Sequence, residues 1–437
     1  MLLKQLQNGE NINETDPESG DNALIKAIRY GDNSVVKELI NSGINLRHKN
    51  RYGQNALHIA SHNGNYEIAR LLISEGLDVN QKDFTGQTPL MYAAVSPNYH
   101  MLELLITTGA KINEQNKNGV TAFSFASMAG AGKNAKILAD HGADVLIADK
   151  TGKTPLEYAI EGEHVNLVNA ILENNADINY VDNAGNSALH VASRLNNLDI
   201  ASNLIRNGAD INLQNNFGDT PLMVALNNGS DNVAKIILEN GPNLFLVNNS
   251  GKGAYDMLAG SDKGITDLLV DLIKKQDALD SNMFSAVLAN DYKSVTDFLK
   301  QGARPDVTDI STGNTPLFVA VANNYKNIAE QLLKYDANVN WQNSRDNTPL
   351  IVAVTTGDEN MINLLLQYGA KLDMSNVNGD TALLWAAKLN NYSIMRLLLI
   401  RGANPNIKNY EGVSPLSIAI DTGDKETEKL LRSFGAF

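Results

Sequence analysis

The sequence predicts an all-α solenoid, a line of short helix pairs repeating about every 33 residues. Three observations predict it. Thr-Pro-Leu recurs at Thr88, Thr154, Thr220, Thr315 and Thr348, with Ser-Pro-Leu at Ser414. Gly53, Gly86, Gly119, Gly152, Gly185, Gly218 and Gly251 follow one another at 33 residues. A second glycine lies 23 residues further on, at Gly76, Gly109, Gly142, Gly208 and Gly241, with Asn175 in the remaining slot.

Each part of the unit has a physical role, taken here on residues 84–113. Thr88 suits a helix N-cap, its hydroxyl accepting an otherwise unpaired backbone N–H. Pro89 fits the first helical position, where the missing donor costs nothing. Small Ala93 and Ala94 allow close approach of neighbouring helices. Leu104 and Leu105 bury the second helix, and Gly109 suits a left-handed C-terminal cap. Helices of about ten residues fall below the ~12–15 needed for marginal stability alone, so stacking must supply the buried surface.

The totals exclude several classes. A chain of 437 residues exceeds what one hydrophobic core serves, which leaves separate domains or a solenoid. The net charge of −13 argues against a general nucleic-acid or acidic-membrane surface and leaves room for basic partners. Without cysteine there are no disulfides, thiolate nucleophiles or cysteine zinc sites. No apolar run approaches a membrane span, and the opening residues lack a signal-peptide core. The expected location is cytoplasmic by default, with secretion by a route independent of a signal peptide left open.

Residues 53–80 read GQNALHIASHNGNYEIARLLISEGLDVN, and residues 379–406 read GDTALLWAAKLNNYSIMRLLLIRGANPN. This pattern resembles the ankyrin repeat over nearly the whole chain. About thirteen phased units begin near Gly20, Gly53, Gly86, Gly119, Gly152, Gly185, Gly218, Gly251, Leu279, Gly313, Asp346, Gly379 and Gly412. The resemblance implies two antiparallel helices per repeat with a projecting β-hairpin finger, and a binding protein. The segment LLKQLQNGENIN resembles the second helix of a truncated repeat, read as a fragment's start or a natural cap. The final helix, with Lys425, Glu426, Glu428 and Lys429, resembles a solvent-facing cap.

The period slips once. Gly251 and Leu279 are 28 residues apart, Lys274 and Lys275 stand where the second glycine and its follower belong, and no DVN segment follows. The expectation is a missing finger, with a first array over residues 1–275 (about eight repeats) and a second over 276–437 (about five), stacked with a kink.

No catalytic constellation emerges. MAGAGKN, Met128–Asn134, lacks the first glycine and the Ser/Thr of a phosphate loop. His58 and His190 share one repeat slot, four units apart, and are expected to bridge neighbouring loops. Glu161 with Glu163, and Asp358 with Glu359, fall at solvated turns. No catalytic residue, metal ligand, cofactor or small-molecule substrate is expected. The recurring Asn80, Asn113, Asn179, Asn212, Asn340 and Asn406 are expected to bond loop backbone.

In the family, partners meet the fingers and the exposed side of the first helix, which line a concave face. Most of those positions are polar here. The exceptions are candidates for contact with a partner protein: Tyr52, Phe84, Tyr180, Val181, Phe217, Trp341, Val377 and Tyr410, since exposed aromatics are common at interface cores. Leu246 and Val247 add apolar surface. Trp341 is the first choice, and its loss is expected to leave stability nearly unchanged. The expected function is a non-catalytic protein-binding scaffold. A bacterial effector delivered to act on host proteins and the regulatory portion of a longer enzyme are the alternatives.

Overall fold

The computed structural model describes residues 12–174, 176–258 and 261–437. Asn175 and most of the opening LLKQLQNGENIN segment lie outside them. The chain divides into two compact units, Met1–Val270 and Asp271–Phe437.

The first unit is a series of helix pairs: α1 (Ala23–Arg29) with α2 (Asn33–Asn41), α3 (Ala56–His62) with α4 (Tyr66–Ser74), α5 (Pro89–Ala94) with α6 (His100–Thr107), and α7 (Ala122–Met128) with α8 (Gly132–Asp140). It continues with α9 (Pro155–Glu161) and α10 (Val165–Glu173), α11 (Ala188–Leu195) and α12 (Leu198–Arg206), and α13 (Pro221–Asn227) and α14 (Asp231–Glu239). Each first helix packs on the first helices of the adjoining repeats. Ala93 and Ala94 are buried completely, and Met101, Leu102 and Leu105 bury α6. Leu104, expected in the core, is only half-buried.

The threonine caps divide. The hydroxyls of Thr154, Thr220, Thr315 and Thr348 accept the amide three residues on, at 3.2–3.4 Å. Thr88 does not, contrary to expectation. Its carbonyl takes the amides of both Met91 (3.0 Å) and Tyr92 (3.3 Å), so the first turn of α5 is tight and the donor is already engaged.

After α14 the pattern degenerates. A single 3₁₀ turn, Ala254–Met257, stands in place of a first helix, where Thr-Pro-Leu is lost. Then one continuous helix of 26 residues, α15 (Lys263–Leu288), runs through the segment where a regular array would have a second helix, a finger and the next first helix. The missing finger follows directly: nothing between Lys263 and Leu288 leaves the helix.

The second unit carries α16 (Tyr292–Lys300), α17 (Pro316–Ala322) with α18 (Lys326–Lys334), α19 (Pro349–Thr356) with α20 (Glu359–Gln367), α21 (Ala382–Lys388) with α22 (Tyr392–Ile400), and α23 (Pro415–Asp421) with α24 (Lys425–Ser433). Its core runs unbroken from Met283 and Val287 to Leu431 and Ala436. Among the described residues of the whole chain no strand forms. The fingers are turns, some closed by one bridge, such as Val181 to Ser187 and Ser375 to Thr381.

Candidate protein-interaction surface

A finger is built from one side chain outward. Asp83 Oδ1 accepts the amides of Thr85 (2.8 Å) and Gln87 (2.9 Å), which folds the turn. Gly86 takes φ +84°, the left-handed value the turn requires. Burial acts to raise the Asp83 carboxyl, but bonds from Thr85, Tyr92 and Gln87 hold it below its ordinary value. Asn50, Asn116, Asp149, Asp182 and Asn215 build the same turn in their own fingers.

Each finger is then tied to the one before it. The amide of Phe84 donates to Tyr52 O at 3.0 Å, Lys117 to Thr85 O at 2.9 Å, Asn216 to Ala184 O at 3.0 Å and Tyr410 to Asn378 O at 3.1 Å. Contact is close: a β-carbon on Gly53 would lie 2.6 Å from the Phe84 amide nitrogen. A second tie runs through the recurring asparagines. Asn340 donates to Gly369 O (3.1 Å) and accepts Lys371 N (2.7 Å), both in the next repeat. Asn80, Asn113 and Asn406 make the same pair of bonds, and Asn179 and Asn212 accept the corresponding amide. The expected role of these asparagines is thereby seen, across repeats instead of within a loop.

The histidines also bridge. His58 Nδ1 meets Asn55 Oδ1 at 2.7 Å, while Nε2 reaches Gln87 O of the next repeat at 3.3 Å. His190 meets Ser187 Oγ (2.8 Å) and Asp219 O (3.0 Å). Burial lowers the His58 imidazole to about 4 and lowers His190 also. In the Met128–Asn134 segment, Asn134 turns inward and donates to Ala94 O (2.9 Å) and Ser96 O (2.8 Å). Asp358 caps α20, and Glu161 pairs with Lys153 at 2.8 Å. Among the described residues no group of three His, Cys, Asp or Glu side chains could hold a metal ion.

The candidate contacts fall into three groups. Tyr52 and Phe84 sit on adjacent fingers, 61% and 60% exposed. Tyr180, Val181 and Phe217 lie on the next aromatic pair of fingers, with Phe217 66% exposed. Trp341, Val377 and Tyr410 occupy consecutive fingers of the second unit, and Tyr410 is 79% exposed. Trp341 differs from its expectation: it is half-buried, and its indole Nε1 donates to Gly313 O of the preceding repeat at 3.0 Å.

Sequence reasoning missed three features. Ile310 is fully exposed on the finger preceding Trp341, and Leu146 is exposed where other repeats have the bridging asparagine. Tyr92, Phe125 and Tyr158 form a half-buried row, one per first helix, on consecutive repeats. Tyr92 OH donates to Asp83 Oδ2 and Tyr158 OH to Asp149 Oδ2, both at 2.7 Å. Burial pushes the Tyr92 phenol up to about 12. Tyr92, Phe125 and Tyr158 each stand six residues after the first glycine of their repeat, and Leu146 stands 33 after Asn113, which is the signal that could have found these four; Ile310 lies in a finger one residue longer than the others and off that phase.

No curated protein matches the chain. The family profile described as ankyrin repeats (3 copies) matches residues 1–83, 90–182, 145–215, 189–278 and 283–376, and that of the single ankyrin repeat matches 378–410. Among the described residues no helix is long and apolar enough to cross a membrane. With its 33-residue helix pairs, left-handed glycines and interlocked turns, the chain belongs to the ankyrin-repeat family.

Proposed function

We propose that this protein is a non-catalytic scaffold that grips another protein through its fingers. Ankyrin repeats are generally protein–protein interaction modules. The observation that carries the reading here is that, within each of the two units, large apolar side chains are held out on turns whose backbones are already bonded to their neighbours. Ordering of these fingers precedes binding, so little conformational entropy is lost when a partner arrives. The inward engagement of His58, His190, Asp83 and Asp149 supports a role without chemistry.

The test is capture of a partner from the native source by immobilised full chain, followed by mass spectrometry. A variant with Tyr180→Ala, Phe217→Ala and Trp341→Ala should lose the captured protein. Equal recovery by both chains would remove the proposed face.

A further inference from the structure

We infer that the fingers at residues 47–54, 80–87, 113–120 and 146–153 receive an extended acidic segment of the partner, an inference that rests on the finger reading above. These four fingers carry seven Lys or Arg against three Asp or Glu, on a chain whose net charge is −13. The next three, at 179–186, 212–219 and 245–252, carry one Lys against two Asp. The excess of positive charge is therefore local to one stretch of the first unit.

One of the three acids in the basic stretch pairs with a cation of that stretch, and Lys153 pairs with Glu161 outside it, which leaves five of the seven cations without an ion pair among the described residues. Asp83 and Asp149 point into their own turns and onto the hydroxyls of Tyr92 and Tyr158. Glu114 pairs with Lys82 at 2.5 Å. Arg51, Lys117 and Lys150 are left exposed, without an acidic partner at ion-pair distance among the described residues. All three occupy one slot, the residue after the side chain that folds the turn. Their amides are fixed by the finger ladder, to Ser19 O, Thr85 O and Asn118 O at 2.9–3.0 Å. On the remaining finger that slot is Phe84, with Tyr52 beside it.

Along the stack the slot thus reads Arg51, Phe84, Lys117, Lys150. Packed elements lie ~8–10 Å apart, and an extended chain rises ~3.3 Å per residue. Every third residue of an extended peptide therefore meets one finger. The complementary segment has an acid, an apolar residue, an acid and an acid at that interval. Single exposed ion pairs are weak, so a preformed row with a central aromatic contact is what gives selectivity.

The experiment uses fluorescence anisotropy on the full chain. The probe is a labelled peptide with Asp at the first, third and fourth finger positions and Leu at the second, in a Gly-Ser background. Its Asn counterpart and an oligouridylate are the comparisons. The acidic peptide should bind about tenfold more tightly than the Asn peptide, with affinity falling as salt rises. The variant Arg51→Gln, Lys117→Gln, Lys150→Gln should lose that preference with an unchanged melting curve. Equal binding of both peptides, an unaffected variant, or tighter binding of the oligouridylate through the same residues would overturn the inference. If partner capture survives in this variant but is lost in the Tyr180, Phe217, Trp341 variant, the acidic-segment assignment alone fails and the finger reading stands.

Discussion

Asp280, on α15, holds Arg304 by two bonds: its Oδ1 accepts the Arg304 amide at 2.7 Å and its Oδ2 accepts Nε at 2.6 Å. Gln276, one turn earlier, donates to Gly302 O at 2.9 Å. Those are the carbonyl and the amide that a finger asparagine serves in regular repeats, as Asn340 does for Gly369 and Lys371. Where the finger is missing, two residues of a helix supply its bonds. Asp280 is buried while Asp277, also near Arg304, is exposed. Asp280→Ala is therefore expected to destabilise the second unit by about 2 kcal/mol, since it removes the charge-assisted bonds to the Arg304 amide and Nε. Asp277→Ala should cost under ~0.5 kcal/mol. Urea unfolding of the two variants checks this; equal midpoints would show the Asp280 bonds to be dispensable.

Thr348→Ala should cost about 1 kcal/mol through the lost cap to Ile351 N. Thr88→Ala should cost clearly less, because its hydroxyl caps nothing. Paired thermal melts of the two variants provide the comparison, and an equal loss would contradict the tight-turn account of α5.

Trp341→Phe keeps an aromatic ring and removes the bond to Gly313 O. It should cost about 1 kcal/mol in stability and leave most partner capture in place. Trp341→Ala should reduce both. If Trp341→Ala leaves the denaturation curve where it was, the indole bond contributes nothing to stability.

Glu157 stands in the slot of His58 and His190, yet neither carboxylate oxygen has a hydrogen-bond partner among the described residues. Burial, with repulsion from Asp182, pushes its carboxyl up to about 8. The unfolded chain ionises it near the ordinary carboxylate value, so between that pH and about 8 the folded state alone keeps the proton. Its contribution to stability accordingly falls as pH rises through this window, by on the order of 5 kcal/mol, then levels off. His58 and His190, lowered by burial, act oppositely and lose stability as pH falls below their ordinary value. Glu157→Gln isolates the carboxyl: its stability gain over the natural chain should grow from pH 5 to pH 8. A gain independent of pH, by urea denaturation across that range, would place the ionised group comfortably in the fold.

Much of this architecture was legible in the residues. Glycine spacing located the turns because a left-handed backbone leaves few alternatives, and Asp346 shows the rule by taking φ +54° in a glycine slot. The irregular junction was visible as lost spacing at Lys274 and Lys275, but its replacement was not. That Gln276 and Asp280 would reach Gly302 and Arg304 depends on a helix continuing through both, which no periodic pattern announces. The half-burial of Trp341 was hidden for a similar reason: its partner is a carbonyl 28 residues away in sequence. Exposure of Tyr52, Phe84 and Tyr410 was legible from phase alone, because every finger repeats the same turn.

The most direct measurement is hydroxyl-radical footprinting of the full chain with and without the captured partner. Oxidation of exposed rings reads the fingers and the second helices in one experiment. Binding through the fingers predicts that Tyr52, Phe84, Phe217 and Tyr410 become protected, while Tyr292 and Tyr392, at the starts of α16 and α22, are modified as before. Protection of Tyr292 and Tyr392 with the four finger rings unchanged would contradict it.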